Sequence, residues 1–436
     1  MKPINVGLLG LGTVGAGTIQ VLRRNKDEIA RRAGREIRVS HATARDPTKA
    51  RNFSLDGIEM LTNADELVIH PDIDIVCELI GGDTFTKALV LKAIANGKHV
   101  VTANKALLAK HGTEIFAAAL ENRVTVAFEA AVAGGVPIIK ALREGLTANR
   151  IEWIAGIING TSNFILSEMR SRGASFGSVL AEAQAMGYAE TDPTFDIEGI
   201  DAAHKLTILS AIAFGVPPQF DKAYTEGIST LTDKDIKYAE QLGYRIKLLG
   251  ITRRANDGIE LRVHPTLIPE KRLIANVEGV MNAILVKGDA VGATLYYGRG
   301  AGGEPTASAV VADLVDVARM MTADPEHRVP HLSFQPDQLH DTPILRMEQV
   351  ETGCYLRLRA FDKPGVMADV TRILADGLIS IDAILQKEAE EGEDLVDVII
   401  LTHRSVEANV NTAIARIEAL PTISAKVIRI RLEELN

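Results

Sequence analysis

Apolar and polar positions follow three different rhythms along this chain. Over residues 1 to about 130, short β-branched runs (4–9, 37–42, 75–80, 99–102 and 124–128) alternate with stretches of helical period such as 14–33 and 86–96. Strands that alternate with helices predict a parallel, doubly wound α/β sheet covered on both faces. From about 131 to 350 the pattern changes. Helical segments (161–172, 176–186, 200–213) mix with strand-like runs (151–157, 244–252, 261–268, 283–287), which predicts an α+β domain. The Pro-bounded stretch 325–330 reads as a linker. The final part reads strand, helix, strand, strand, helix, strand: strands 355–361, 379–386, 395–401 and 424–431, helices 365–375 and 406–418. That order predicts a ferredoxin-like βαββαβ unit, with polar residues 387–394 as a hairpin loop between its middle strands. The expected domains are therefore 1–131, 132–345 and 352–432.

Composition narrows the function more than the fold. Net charge is −9, from 48 basic and 57 acidic residues, so there is no electrostatic case for binding nucleic acid or an anionic membrane. The early arginines Arg23, Arg24, Arg31 and Arg32 are spaced as a solvated helix face. The two cysteines, Cys77 and Cys354, form neither a disulfide framework nor a zinc spacing, and Cys77 lies in a strand-like run as a small buried hydrophobe. No apolar run reaches the roughly 20 residues of a membrane span, and the N-terminus lacks a secretory pattern. A cytoplasmic protein is expected.

The first concrete chemistry is Gly10-Leu11-Gly12-Thr13-Val14-Gly15, which follows an apolar strand and opens a helix. Gly10 permits the tight turn, Gly12 lets a pyrophosphate approach the backbone, and Gly15 allows close helix–strand contact. The helix N-terminus, with Thr13 and Val14, then offers N–H groups and a favourable dipole. This predicts a Rossmann-type dinucleotide site. The second strand should end near the adenosine ribose, where Arg45 and Asp46 stand together. An arginine there suits a 2′-phosphate and an acid suits a free hydroxyl, so NADP is weighted over NAD by Arg45 alone.

Two lysines stand out by context. Lys105 follows Thr102 just past the C-terminal end of a strand, the edge where ligands bind in an open α/β sheet. Lys205 is four residues after Asp201 on one helix face. The acidic stretch 187–196 precedes that helix. By itself this pattern also fits an exposed loop followed by a surface ion pair. Residues 156–163 end a strand and open a helix, which also fits N-capping by Thr161 or Ser162. Residues 298–306 form a glycine loop before a helix expected to begin at Pro305.

Taken in order, GLGTVG, TANK, EAAVAGGVPI, NGTSNFIL, GYAETDPTFDIEGIDAAHKL and GRGAGGEPTASAVVADL resemble the homoserine dehydrogenase family over residues 4 to about 320. The resemblance implies NAD(P)H-dependent reduction of L-aspartate 4-semialdehyde to L-homoserine. By motif, Lys205 would be the general acid/base on the reacting oxygen, Lys105 would sit between nicotinamide and substrate, and Asp201 would position the reacting group. Glu190 and Asp196 would hold the substrate ammonium, with Asn159, Gly160, Thr161 and Tyr188 lining the same site. Thr102 and Gly302 would join the cofactor residues. Hydride delivery builds negative charge on the aldehyde oxygen, so a cationic proton donor suits it; a zwitterionic substrate also needs a carboxylate for its ammonium. The stretch 129–136 resembles the family's monovalent-cation loop, with Glu129 and the carbonyls of Val132, Gly134 and Val136 as oxygen ligands for sodium or potassium in a structural role. A glycine hinge fits the same residues.

The last unit, with Asp362-Lys363-Pro364-Gly365-Val366, resembles an ACT regulatory module, and Pro364 is expected at the first helical position. That resemblance implies an amino-acid effector, L-threonine, and a homodimer or homotetramer; a module that only dimerises is the plainer reading. Two other functions remain open on the residues. One is a nicotinamide enzyme acting on a different amino-acid aldehyde or ketone, which a substrate panel would reveal. The other is a non-catalytic NAD(P)- and amino-acid-binding regulator, which would be expected to lack Lys105 or Lys205.

Overall fold

The computed structural model describes residues 2–46, 49–324, 328–386 and 394–436. They form two compact units, each assembled from separated stretches: 1–160, 201–223 and 280–342 in the first, and 161–200, 224–279 and 343–436 in the second.

The first unit is built on a six-stranded parallel sheet. Its strands are β1 (Ile4–Leu9), β2 (Ile37–Thr43), β3 (Glu59–Leu61), β4 (Ile75–Glu78), β5 (His99–Thr102) and β6 (Val126–Ala127), in the order β3-β2-β1-β4-β5-β6. All residues of β1, β4 and β5 are buried, as the near-continuous apolar runs of a doubly covered sheet require. The order reverses between β1 and β4, which opens a crevice beyond their C-terminal ends.

The expected helix 14–33 is in fact two, Thr13–Arg24 and Lys26–Ala33. They meet at Asn25, whose ψ of 23° leaves the helical range although its N–H still bonds to the Val21 carbonyl. Asn competes with helical bonding through its own side chain, and the bend lets Ile29 and Ala33 bury. The strand β3 and the helix Ala64–Ile69 were too short to leave a periodic signal.

A helix from far along the chain, Gly303–Met320, completes this core. It packs on Thr13–Arg24 through small residues: a Cβ on Gly17 would lie 2.5 Å from the Gly303 carbonyl oxygen and 3.3 Å from Ala307 Cβ. Ala307, Val310 and Leu314 join Val6, Leu8 and Ile19 in one cluster. An antiparallel set of Ile151–Ile157, Met281–Gly288 and Gly292–Arg299 belongs to the same unit.

In the second unit a long hairpin, Tyr244–Ala255 with Gly258–Pro269, leads into the C-terminal module. That module has the expected order: strand Glu351–Phe361, helix Val366–Asp376, strands Ile381–Gln386 and Leu395–Thr402, helix Glu407–Glu418, strand Ile428–Leu432. Leu356, Val370, Val398, Ile400 and Val410 fill its core. Two details depart from expectation. The first helix starts at Val366 after Gly365 in the left-handed region (φ 96°), so Pro364 precedes the helix instead of opening it. The last strand is shorter and later than 424–431. Of the expected hairpin loop, residues 387–393 lie outside the described residues, as do residues 325–327 of the expected linker.

The last strand also runs parallel to Gly258–Pro269, pairing Arg431 with Thr266 and Leu432 with Leu267. Buried charges cross this seam. Arg262 donates to Glu260 (2.8 Å) and Glu433 (2.5 Å), and Arg253 donates to Glu433 (2.8 Å). Burial alone would raise the Glu433 carboxyl, but Arg262 and Arg253 overcome it and hold it at about 2 against an ordinary 4.5. A carboxyl lowered in the folded state contributes stability that is complete above the unfolded value and lost as pH falls toward the folded one. Acid is therefore expected to weaken this unit between pH ~4.5 and ~2. Denaturant midpoints followed across that window should slope by about one proton less in Glu433→Gln than in the parent chain; equal slopes would remove Glu433 as a source of acid lability.

Candidate active site

The glycine loop sits at the crevice where the strand order reverses. Gly10 has φ 100°, and a Cβ there would lie 2.9 Å from the Leu79 carbonyl oxygen. A Cβ on Gly15 would lie 2.2 Å from the Gly10 oxygen, so only glycine lets the helix start this close to the strand. Gly12 faces open space, with no atom within 4 Å of an added Cβ, and it caps the helix Thr13–Arg24 with no side-chain hydrogen bond. The first-turn N–H groups at Thr13 and Val14 thus meet open space with no side-chain cap, the arrangement that takes a phosphate. Gly10 N–H is tied to the Thr43 carbonyl at the end of β2, and Arg45, two residues on, is exposed.

Sequence order alone did not reveal what flanks this loop. The glycine loop near residue 300 lies against it: a Cβ on Gly303 would be 3.1 Å from the Thr13 oxygen, and Arg24 pairs with Glu304 at 2.6 Å. Gly302, at φ 115°, is the N-cap of a helix that begins at Gly303, two residues earlier than expected.

A second residue without a sequence signal is Glu78, fully buried at the end of β4. Its carboxylate accepts the Thr102 hydroxyl (2.6 Å) and the N–H groups of Ile80 (3.0 Å) and Gly81 (3.1 Å). Burial raises its pKa and these donors oppose the rise. The Thr102 oxygen in turn accepts the Asn104 N–H, while the Asn104 side chain donates to the Gly82 carbonyl and accepts from Leu107 N–H. Asn104 is thus the N-cap of the helix Lys105–Glu121 and fixes where Lys105 starts. A lone Glu ending an apolar strand was the available clue.

Lys105 and Lys205 reach one carboxylate. Asp201 Oδ1 lies 3.2 Å from Lys105 Nζ, and its Oδ2 lies 2.6 Å from Lys205 Nζ. Asn159 donates to the same Oδ2 at 2.9 Å, and Lys205 also donates to the Ile158 carbonyl at 2.8 Å. Burial would raise the Asp201 carboxyl, but the ammonium groups of Lys205 and Lys105 win and hold it well below the usual carboxylate range. The surface ion pair that the spacing also allowed does not occur: Asp201 is buried, and the Lys205 side chain is only 12% exposed. Nor do the lysines face each other bare, because an ionised acid stands between them.

The acidic stretch belongs to the second unit and is described by itself. Thr161 donates to the Tyr188 carbonyl (2.8 Å), Ser162 to the Asp196 carbonyl (2.9 Å), and Gln184 to the Glu190 carbonyl (3.0 Å). Both hydroxyls are therefore spent on tethering this stretch, and neither caps the helix Gly160–Arg172 as the sequence also allowed. The Glu190 side chain is exposed; Asp196 lies in the short helix Thr194–Ile197. Gly160, at the start of the longer helix, ends the first unit, and its missing Cβ would clash with the Val280 oxygen at 2.7 Å.

In the stretch 129–136, both Glu129 oxygens accept backbone N–H groups, from Ile139 and Lys140, each at 2.9 Å. Ala133 and Gly134 take positive φ (55° and 48°), and a Cβ on Gly134 would meet the Gly300 oxygen at 2.6 Å. The buried carbonyls of Val132 and Gly134 accept no hydrogen bond among the described residues, whereas that of Val136 accepts Ile138 N–H. No three His, Cys, Asp or Glu side chains cluster as a metal site among the described residues. No described helix is long and apolar enough to cross a membrane.

A reversed parallel sheet, an open glycine turn and a lysine–aspartate–lysine cluster together define a nicotinamide-dinucleotide oxidoreductase. Family models agree in parts: residues 10–129 match the homoserine dehydrogenase NAD-binding domain, 137–315 homoserine dehydrogenase, and 355–421 the ACT domain. The chain is 65% identical to a Pseudomonas aeruginosa homoserine dehydrogenase over all of both chains. Its structure is similar to a homoserine dehydrogenase from Thiobacillus denitrificans (72% identity, 100% and 99% coverage, TM-score 0.96). It is also similar to a hyperthermophilic archaeal homoserine dehydrogenase in complex with NADPH (27% identity, 72% and 98% coverage, TM-score 0.61). The chain belongs to the homoserine dehydrogenase family.

Proposed function

We propose that this chain reduces L-aspartate 4-semialdehyde to L-homoserine, with NADPH preferred over NADH. The observation that carries the reading is the lysine–Asp201–lysine cluster in the unit that also holds the glycine loop. The residues fit the cofactor: the gap at Gly12, the uncapped helix start and exposed Arg45 suit a dinucleotide with a 2′-phosphate. When bound, the cofactor supplies hydride to the aldehyde carbon. Lys205 then gives a proton to the developing alkoxide, and bulk water restores it. Asp201 holds both ammonium groups in place, Lys105 stabilises charge on the same oxygen, and Glu78 with Thr102 and Asn104 sets the position of Lys105. By motif, Glu190 and Asp196 would take the substrate ammonium, and Asn159, Gly160, Thr161 and Tyr188 would be further substrate-binding residues. The domain assignment 1–131, 132–345 and 352–432 follows the same division of labour, as cofactor, substrate and regulatory parts.

The test is a spectrophotometric assay of aspartate semialdehyde with NADPH and with NADH. Activity confined to a different aldehyde, or none at all, would overturn the substrate. Arg45→Ala is expected to weaken NADPH about tenfold in KM and leave NADH alone, in line with losing one charge-assisted contact to phosphate; equal effects on both would remove Arg45.

The buried carbonyls of Val132 and Gly134, without a hydrogen-bond partner among the described residues, and the Glu129 carboxylate are oxygen donors that suit a hard monovalent cation, which would brace this loop against residues 299–305 without entering the chemistry. For the C-terminal module, we infer L-threonine as inhibitor. A cavity of about 380 Å³ lies at Asp362, Gly365, Met367 and Gln386, and Gln386 donates to Asp362 at 3.3 Å. Removing the whole module would be a poor test, since it would strand buried Arg262 without Glu433. Asp362→Ala in the full chain is expected to raise the half-inhibitory threonine concentration at least about tenfold, and an unaltered inhibition curve would place control elsewhere.

A further inference from the structure

A second cavity lies in the first unit; none of Lys105, Asp201 and Lys205 lines it, and Glu129 of the proposed cation loop forms part of its wall. Its volume of about 320 Å³ is at the lower end of the ~300–1,000 Å³ typical of small-molecule sites. Its wall carries Arg143, which is only 8% exposed. Among the described residues the buried Arg143 Nε–H has no hydrogen-bond partner and no ion pair ties the guanidinium, which stands 5.9 Å from the Phe128 ring while the Glu129 and Asp313 carboxyls act on it from beyond contact distance. A buried guanidinium without a directly bonded acceptor is costly unless something else supplies one.

The acids around it are already engaged. Glu129 is bonded to two backbone N–H groups, and Asp313 accepts the Glu129 N–H at 2.8 Å. Asp316 pairs with both Lys140 and Arg319. Glu144 is exposed. Among the described residues Arg328, on the same cavity, donates to the carbonyls of Arg123 (2.8 Å) and Ala323 (3.5 Å) and the Thr125 hydroxyl (3.4 Å), with Asp324 acting on it as a nearby charge, and its Nε–H is also buried with no partner there. Two guanidinium groups, each with a buried donor left without a partner among the described residues, thus line one cavity.

We propose that this cavity binds a small oxyanion, of the phosphate or sulfate class, between Arg143 and Arg328. Guanidinium forks match such anions in geometry and charge, and Phe128 supports the plane of one of them. The anion would join the segment after the 129–136 loop to the end of the helix Gly303–Met320.

The experiment uses the full chain saturated with NADP⁺, so that the glycine loop cannot itself take the probe. Sodium phosphate is titrated at constant ionic strength, by calorimetry and by thermal unfolding. One saturable site is expected, weakened at least about tenfold in Arg143→Met and in Arg328→Met, the loss of one charge-assisted pair. Selenate soaked into crystals of the parent chain should give an anomalous peak between the two guanidinium groups, which decides the matter even if a variant fails to fold. Phosphate binding unchanged in both folded variants, or selenate found only outside the cavity, would overturn the proposal.

Discussion

Replacing Lys205 with alanine is expected to cut kcat by more than about a hundredfold, the usual loss when a general acid is removed. The geometry sharpens the prediction. Lys205 Nζ is held by Asp201 Oδ2 at 2.6 Å and by the Ile158 carbonyl at 2.8 Å, so its position is set before any substrate arrives. Alanine removes the proton source yet leaves Asp201 paired with Lys105 and Asn159, and the fold should survive. Cofactor affinity, read by fluorescence titration, should therefore change little while turnover collapses. A folded Lys205→Ala protein with normal turnover would leave the proposed chemistry without its donor. Lys205→Arg separates charge from proton transfer: it keeps the cation, but a guanidinium does not give up its proton, so this variant should stay close to the alanine variant.

The second large effect is on stability. Arg431 is 1% exposed and donates to Glu407 (2.8 and 3.0 Å), Glu226 (2.6 Å) and the Tyr224 hydroxyl (3.2 Å). It joins the last strand of the C-terminal module to the strand and loop at residues 224–226. Arg431→Met keeps the bulk and removes the charge, so Glu407, itself fully buried, retains among the described residues Arg429 at 3.0 Å and the Thr352 hydroxyl at 2.6 Å, one cation where it had two. Breaking one side of a buried ionic network typically costs about 3–5 kcal/mol. Denaturant unfolding should show that loss in the transition of the second unit. A change below about 1 kcal/mol would mean that water reaches the carboxylates once the arginine is gone.

Much of the fold was legible because burial writes periodicity into a chain. The β1, β4 and β5 strands and the βαββαβ order of the last module follow from apolar runs and alternation. Where the reading failed, the signal was local and weak. Asn25 bends a stretch of continuous helical period, β3 has only three residues, and Pro364 looks like a helix start until Gly365 takes the left-handed conformation and the helix begins two residues later, at Val366. Thr161 and Ser162 have the composition of caps, but their hydroxyls found carbonyls of the 188–196 stretch instead.

By itself the sequence determined which segments are strands and helices, that a glycine turn opens the first helix, and which charged residues were candidates. Glycine's conformational range and the matching of apolar period to secondary structure are properties of neighbouring residues, and so they are written locally. Tertiary structure alone decided partnership. It put Asp201 between Lys105 and Lys205, set Gly303 against the Thr13 turn across some 290 positions, gave Glu78 its three donors, and left the buried Arg143 Nε–H without a hydrogen-bond partner among the described residues. These depend on chain-distant groups meeting where water is excluded, and there a charge is governed by what surrounds it in space, not by what adjoins it in sequence.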